Sequence, residues 1–112
     1  MEIRTETRGD VLIARIKGHI DMLNSTDLRQ FALQTVESGV RRVVLDFKGV
    51  TYIDSSGLGI LVFAARTLKE SGGDLVLCGV RPKIEQIISL NLLGSFVKIY
   101  PNDDGAVAAL SS

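Results

Sequence analysis

Hydrophobic residues along the chain fall into short apolar runs separated by segments with helical spacing. The runs Val11–Lys17, Val43–Phe47 and Leu75–Cys78 have the length and β-branched content of strands. The last two runs lack alternation with polar residues, which is expected when both faces of a parallel strand are covered. Weaker alternation over residues 2–8, followed by Gly9-Asp10, predicts an edge strand joined to the second strand by a hairpin turn.

The segments between these runs repeat apolar residues every three or four positions, which is the spacing of one helical face. Helix starts are predicted within Asn24–Asp27, at Asp54-Ser55-Ser56, at Arg81-Pro82 and at Pro101–Asp104, because these residue types favour N-caps and first turns. Gly39 and Gly94 mark the predicted ends of the first and third helices. The predicted inward-facing residues are Leu28, Phe31, Ala32, Thr35 and Val36, then Leu58, Leu61, Val62, Ala65 and Leu68, then Ile84, Ile87 and Ile88 with Asn91 or Leu92, and last Val107 and Leu110.

A last alternating run, Phe96–Tyr100, supplies a fifth predicted strand. The element order is therefore β-β-α-β-α-β-α-β-α. Alternating strands and helices predict an α/β fold with a mostly parallel sheet, here with an antiparallel edge strand. We expect one domain over residues 1–112, because 112 residues suit one core and no linker or repeat interrupts the pattern.

Composition excludes several classes of function. Thirteen basic residues balance thirteen acidic ones, so net charge indicates neither direct nucleic-acid binding nor an anionic membrane. One cysteine and one histidine argue against a disulfide framework and against a Cys/His metal site. No signal peptide is visible, and the longest apolar run, Ile60–Ala65, is far too short to span a membrane. We therefore expect a cytoplasmic protein with no cofactor and no membrane segment.

The segment Asp54-Ser55-Ser56-Gly57-Leu58-Gly59 is the main candidate site, because it places small polar residues between a buried strand and a helix. Side-chain oxygens of Asp and Ser accept bonds from free backbone N–H groups at a helix start. The two serine hydroxyls would thus lie at the positive end of the helix dipole. The two glycines permit a close approach to the backbone.

Apolar residues are predicted around this segment. Ile60 and Phe63 share a helical face away from the inward residues, and we expect part of the pair to be exposed. Met22 and Leu23 follow Asp21 in a predicted loop. Because the carboxyl ends of parallel strands meet at one edge of a sheet, these residues should lie beside the serines. The sequence therefore favours an interaction surface.

Catalytic alternatives find less support in the residues. A serine nucleophile could use only His19 as its base, and the sequence before the serines lacks the Gly-x-Ser-x-Gly pattern of a nucleophile elbow. An acidic residue beside the serine would also repel a developing oxyanion. The glycine patterns of dinucleotide and phosphate loops are absent. We interpret His19 as a solvent-facing residue at a strand end, Cys78 as a small core residue and Asp103-Asp104 as a cap and solvated turn; Asp46 could be buried or lie at a rim.

Asp54-Ser55-Ser56-Gly57-Leu58-Gly59, following the run Val43–Phe47, resembles the signature of the anti-sigma factor antagonists, whose fold is the STAS domain. Weaker matches are Gly18-His19-Ile20-Asp21, Ser71-Gly72-Gly73, and Leu93-Gly94 with Phe96. Together the matches extend over nearly the whole chain.

This resemblance implies a phosphorylation switch. In the family, the serine directly after the motif aspartate, which is Ser55 here, is phosphorylated by a partner that is both serine kinase and anti-sigma factor. The unphosphorylated protein binds that anti-sigma factor and frees the sigma factor, and a PP2C-type phosphatase removes the phosphate. Ser56 then remains as the local cap. The resemblance also places Asp21 near the phosphoserine, in the partner interface. Taken with the interaction surface predicted from the residues, the predicted partner-binding residues are Asp21, Met22, Asp54, Ser55, Ser56, Gly57, Ile60 and Phe63.

A second hypothesis remains open within the same resemblance. The chain could be a STAS domain without this phosphorylation, serving as a scaffold subunit or as the partner of a membrane complex. Adjacent genes for an anti-sigma kinase and a sigma factor would favour the switch, whereas transport genes would favour the second hypothesis. The sequence leaves the oligomeric state open.

Overall fold

The computed structural model describes residues 1–90 and 97–111, which form five strands and four helices. The predicted order of elements is confirmed, whereas the expectations for Asn91, Leu92, Leu93-Gly94 and Phe96 lie outside the described residues. The elements are β1 (Glu2–Arg8), β2 (Val11–Ile20), α1 (Ser25–Glu37), β3 (Arg42–Ile53), α2 (Ser55–Glu70), β4 (Asp74–Cys78), α3 (Pro82–Leu90), β5 (Ile99–Tyr100) and α4 (Asp103–Ser111).

The five strands form one sheet in the order β1-β2-β3-β4-β5. β1 pairs with β2 in antiparallel fashion, and the remaining neighbours are parallel. The turn at Gly9-Asp10 is confirmed, with Gly9 at a φ of 64°, a conformation that glycine adopts without steric cost. The mixed sheet with an antiparallel edge strand agrees with the prediction.

The two faces of the sheet carry separate apolar clusters. The larger cluster joins the sheet to α1, α2 and α3, and the smaller one joins it to α4. Neighbouring residues of β3 therefore alternate between clusters: Leu45 belongs to the larger and Val44 to the smaller. This explains the unbroken apolar run in β3, since both faces of that strand are covered. Among the described residues, no helix is long and apolar enough to cross a membrane.

β3 is longer than the predicted run, because it continues to Ile53. The pairing of β2 with β3 shifts register between Arg15 and Lys17 and again between Gly18 and His19. At the first shift, a Cβ on Gly49 would lie 3.0 Å from the carbonyl oxygen of Ile16. A glycine inside the strand thus marks an irregular pairing, and both strands continue to the same edge of the sheet.

Helix packing differs from the prediction at three positions. Ile87 is 36% exposed although it was predicted to face the core, whereas Val62 is partly buried and packs against the larger apolar cluster as predicted. Ala64 and Ala106, which were not predicted, are buried. In α2 the buried stripe is wider than one row of residues because α1 lies beside it. The short helix α3 buries only Ile84 and Ile88, a single narrow stripe.

An ion-pair cluster on the α4 face was not anticipated. Asp46 is 5% exposed, and its carboxylate accepts hydrogen bonds from the Arg15 guanidinium at 2.7 Å and from the Lys48 backbone N–H at 2.9 Å. Arg15 also donates to Glu6 at 2.9 Å and to Asp103 at 3.0 Å. The interpretation of Asp103 as part of a solvated turn is therefore wrong.

The helix α4 is instead capped by Asn102, whose Oδ1 accepts from the Gly105 N–H at 2.9 Å. Arg8 contacts Asp104 at 2.8 Å and Asp103 at 3.4 Å. The cluster thus links β1, β2 and β3 to the start of α4.

We expect Arg15→Met to lower the free energy of unfolding by about 1–3 kcal/mol, because it removes a charged donor from a buried carboxylate. Arg15 holds the pKa values of Glu6 and Asp103 below their ordinary values of 4.5 and 3.8. A carboxylate whose pKa is lowered by folding stabilises the folded state at pH values above its ordinary pKa. That stabilisation is lost as the pH falls through the lowered pKa. The difference between wild type and variant should therefore shrink in acid.

Urea unfolding at pH 7 and pH 3 measures this effect. Lys17→Met is the matched control, because Lys17 lies on the same hairpin, is exposed and forms no ion pair within residues 1–90 and 97–111. Equal stability of the two variants at pH 7 would contradict the role assigned to Arg15.

Candidate functional site

The ends of β2 and β3 lie side by side, with Ile20 opposite Ile53 in the parallel register. The backbone N–H of Asp54 continues this pairing by donating to the carbonyl oxygen of Ile20 at 3.2 Å. The segment after β2 and the start of α2 therefore lie at the same edge of the sheet. This confirms the predicted neighbourhood of Asp21 and Asp54.

Asp54 connects these two segments through its side chain. Its Oδ1 accepts from the Gly57 N–H at 2.9 Å, and its Oδ2 accepts from the Met22 N–H at 3.2 Å. Asp54 has extended backbone angles, as a residue immediately before a helix requires. The prediction that Ser56 caps the helix is wrong, because Ser56 is already the second helical residue.

The loop between β2 and α1 has its own hydrogen bonds. Asp21 Oδ1 accepts from the Leu23 N–H at 3.0 Å. The Asn24 Oδ1 accepts from the Asp21 N–H at 3.0 Å, and the Asn24 Nδ2 donates to the carbonyl oxygen of His19 at 2.8 Å. Because Asn24 is committed to the loop, it forms no side-chain cap with α1. These bonds leave Met22 72% and Leu23 88% exposed.

Ser55 is the first residue of α2 and is exposed, whereas Ser56 is partly exposed. Within residues 1–90 and 97–111, neither hydroxyl has a hydrogen-bond partner. The ion pairs of this part of the chain also involve neither Asp21 nor Asp54. The serines thus lie at a helix N-terminus, whose dipole favours an anion, directly after Asp54, whose carboxylate also bonds to the loop that begins at Asp21.

Gly57 is buried and contributes to the site from beneath it. A Cβ on Gly57 would lie 2.6 Å from the Ile20 carbonyl oxygen and 2.7 Å from Cγ1 of Ile53. Its role is close packing of the helix start against two strand ends. The prediction that Gly57 belongs to the contact surface is therefore wrong, because the residue is buried.

Ile60 and Phe63 are half-buried, as expected for a pair that is only partly covered. The Arg29 guanidinium of α1 lies 4.5 Å from the centre of the Phe63 ring, a cation–π arrangement. Of the exposed apolar residues at this edge of the sheet, Leu23 was predicted together with Met22, whereas Tyr52, which is 50% exposed, was not predicted. Tyr52 lies two residues before the motif aspartate, on a strand whose alternate residues point outward. Its exposure could therefore have been predicted from the sequence.

The structure does not assemble a catalytic site at Ser55. His19 is exposed, and its ring meets Tyr52 edge-on with centroids 5.6 Å apart. Among the described residues it forms no hydrogen bond with Ser55, which a nucleophile and its base require. Cys78 is buried, and burial together with the Asp46 charge raises its pKa to about 11, so its placement in the core is confirmed. The described residues contain no group of three or more side chains suited to a metal ion.

The chain is similar to known proteins of one family over nearly its whole length. Residues 2–106 match the STAS domain family. The chain is 30% identical over 112 residues to BtrV of Bordetella bronchiseptica, a proposed anti-sigma factor antagonist, covering 100% of this chain and 94% of that protein. It is 30% identical over 114 residues to the anti-sigma F factor antagonist of Paenibacillus polymyxa, covering 98% of this chain and 95% of that protein.

Solved structures show the same fold. A proposed anti-sigma factor antagonist from Thermotoga maritima superposes with a TM-score of 0.92 at 24% identity, covering 98% of this chain and 95% of that chain. The phosphorylated form of the Bacillus protein SpoIIAA gives 0.74 at 18% identity, with 96% and 98% covered. A sulfate transporter family protein from Wolinella succinogenes gives 0.83 at 19% identity, with 95% and 88% covered. The fold is thus found both in an anti-sigma factor antagonist, as the first hypothesis expects, and in a protein of the sulfate transporter family, as the second would allow.

We expect Gly57→Ala to destabilise the protein by about 1–3 kcal/mol, because the new methyl group would overlap Ile20 and Ile53. Gly59→Ala is the matched control two residues along the same helix. A Cβ there meets nothing within 4 Å, so the substitution should stabilise the helix by about 0.5–1 kcal/mol. Chemical unfolding of both variants checks this, and a shift of the same sign in both would contradict the packing role of Gly57.

Proposed function

The chain belongs to the STAS domain family, and from that premise we propose that it is an anti-sigma factor antagonist regulated by phosphorylation of Ser55. Unmodified, it binds an anti-sigma factor that is also a serine kinase, and so releases a sigma factor. A PP2C-type phosphatase returns the phosphorylated form to the binding state. Relatives named as anti-sigma factor antagonists, at 30% identity over nearly their whole length, support this proposal over a transporter role.

One observation carries the choice of Ser55. Its side chain is exposed at the first position of α2, whereas the cap position is taken by Asp54. Ser55 is therefore not needed to satisfy the helix start, and a kinase can reach its hydroxyl without breaking a bond of the fold. Ser56 is less exposed and lies one residue further into the helix.

The proposed binding surface surrounds this serine. Its most exposed apolar members are Met22 and Leu23, which the loop hydrogen bonds hold outward. The remaining members of the surface are Asp21, Tyr52, Asp54, Ser55, Ser56, Ile60 and Phe63. Aromatic and large apolar residues ringed by polar groups are typical of protein interfaces.

Phosphate at Ser55 would act on this surface more than on the fold. It adds roughly −1.5 to −2 charges at pH 7. The helix N-terminus tolerates that charge, so the fold should persist. In a bound complex the same charge must lose its water next to Asp54 and Asp21, which is costly. A penalty of about 3 kcal/mol weakens binding more than a hundredfold.

We expect the cognate anti-sigma kinase with ATP to modify wild type and Ser56→Ala, but not Ser55→Ala. Mass mapping of the phosphorylated peptide measures the position directly. Ser55→Ala removes only an exposed hydroxyl that has no hydrogen-bond partner among the described residues, so an unchanged circular dichroism spectrum shows that the loss is not caused by unfolding. Phosphate on Ser56 of the wild type, or on any residue of this segment in the Ser55→Ala variant, would contradict the assignment.

Ser55→Asp should weaken binding to the anti-sigma factor by about a hundredfold or more, since a fixed charge replaces the hydroxyl. Isothermal titration calorimetry measures the affinity, and thermal unfolding should show little change. Ser89→Asp on α3 is the matched control, because it adds the same charge at an exposed position outside the proposed surface. Undiminished binding of Ser55→Asp would overturn the switch. Failure of the wild type to bind at all would favour the scaffold alternative.

A further inference from the structure

β1 forms one edge of the sheet, and β2 is its strand neighbour. Five of its residues are exposed, and only Ile3 and Arg8 are partly covered. Its outer side is therefore a row of backbone N–H and C=O groups available to another strand. The strand includes no proline, lysine or bulge that would block such pairing.

The hairpin determines which groups point outward. Arg8 lies opposite Val11 across the two-residue turn Gly9-Asp10, and residues that flank such a turn bond to each other. Bonding alternates along the strand, so every second residue counted back from Arg8 bonds to β2. The residues between them direct their N–H and C=O groups to the free edge; these are Ile3, Thr5 and Thr7.

The charged side chains of β1 are self-complementary about Thr5. Glu2, Arg4, Glu6 and Arg8 share one face, since strand residues alternate between faces. If a second copy pairs in antiparallel fashion with Thr5 opposite Thr5, Glu2 lies opposite Arg8 and Arg4 lies opposite Glu6. A shift of two residues in either direction places Arg4 opposite Arg4 or Glu6 opposite Glu6. Like charges directly opposite destabilise a strand pair, so both of these shifts are disfavoured. A shift of four residues restores opposite charges but pairs only residues 2–4 or 6–8 of each strand, so the register centred on Thr5 is favoured by its greater length.

We infer that β1 is an association surface for a second copy of this chain, forming a two-fold antiparallel pair centred on Thr5. In that register the outward groups of Ile3 bond with those of Thr7, and Thr5 bonds with its own counterpart. Glu6 and Arg8 are held on the charged face by their contacts with Arg15 and Asp103. The surface uses no residue of the proposed Ser55 site, so the two associations are independent.

Cysteine cross-linking tests both the pairing and its register. Residues opposite each other at a bonded position have Cα atoms about 5.5 Å apart, within the range of about 4.4–6.8 Å for a disulfide. Thr5→Cys should therefore give a disulfide-linked dimer under mild oxidation. Thr7→Cys is the matched control, because the two Thr7 positions are displaced by four residues, about 13 Å along the strands. Both threonines are exposed, whereas the native Cys78 is buried and lies on β4, away from this edge of the sheet.

Non-reducing electrophoresis of the full chain measures the product. A dimer band for Thr5→Cys that is lost in Thr7→Cys supports the inference. Equal bands for the two variants, or no band for either, would overturn it. Adding Arg4→Glu to Thr5→Cys should also remove the band, because it places Glu opposite Glu6.

A charge exchange between copies gives a second test. Arg4→Glu alone sets Glu opposite Glu6, and Glu6→Lys alone sets Lys opposite Arg4, so each variant should sediment as a monomer. Mixed in equal amounts, they restore opposite charges at every position, and the dimer should return. Lys83→Glu, an exposed charge change on α3, should associate like wild type. Circular dichroism checks the fold of Glu6→Lys, because this variant loses the contacts of Glu6 with Arg15 and Arg8. If the mixture sediments as monomers, as the separate variants do, the inference is overturned.

Discussion

The two hydrogen bonds accepted by the Asp54 carboxylate determine the shape of the candidate site. One oxygen closes the first turn of α2, and the other holds the loop after β2. Because Asp54 performs both tasks, the apolar residues of that loop stay exposed beside the helix start. The neighbouring Ser55 hydroxyl is left without a structural role. A helix capped by the serine itself would have no free hydroxyl for the proposed phosphorylation.

The stability of this region comes from packing beneath the surface. Gly57 allows α2 to begin almost in contact with the ends of β2 and β3, and the residues that follow it into the core are buried. Met22 and Leu23 contribute little to that core, since most of their surface is exposed. The fold and the proposed binding surface therefore depend on different side chains, although both are set by the same few residues.

Local patterns were sufficient to predict the order of elements, the hairpin and the position of the motif. They could not identify the capping residue, because Asp54, Ser55 and Ser56 are all good caps and only the backbone start of α2 decides between them. The Arg15 cluster was missed for a different reason. Its members come from β1, β2, β3 and α4, and they meet only once the strand order is known. Charged pairs of large sequence separation leave no periodic signal.

The separation of the two sheet faces bears on how a phosphate could control association. The larger apolar cluster and the Ser55 segment lie with α1 to α3, whereas the Arg15 cluster and α4 lie on the opposite face. A ligand shifts a protein between conformations only by its differential affinity for them. A phosphate that lies within the contact surface changes partner affinity directly, through charge and desolvation, and needs no second conformation of the sheet. The hydrogen bonds of Asp54 to both segments would then keep Ser55 at the surface in the bare protein and in the proposed phosphorylated form alike.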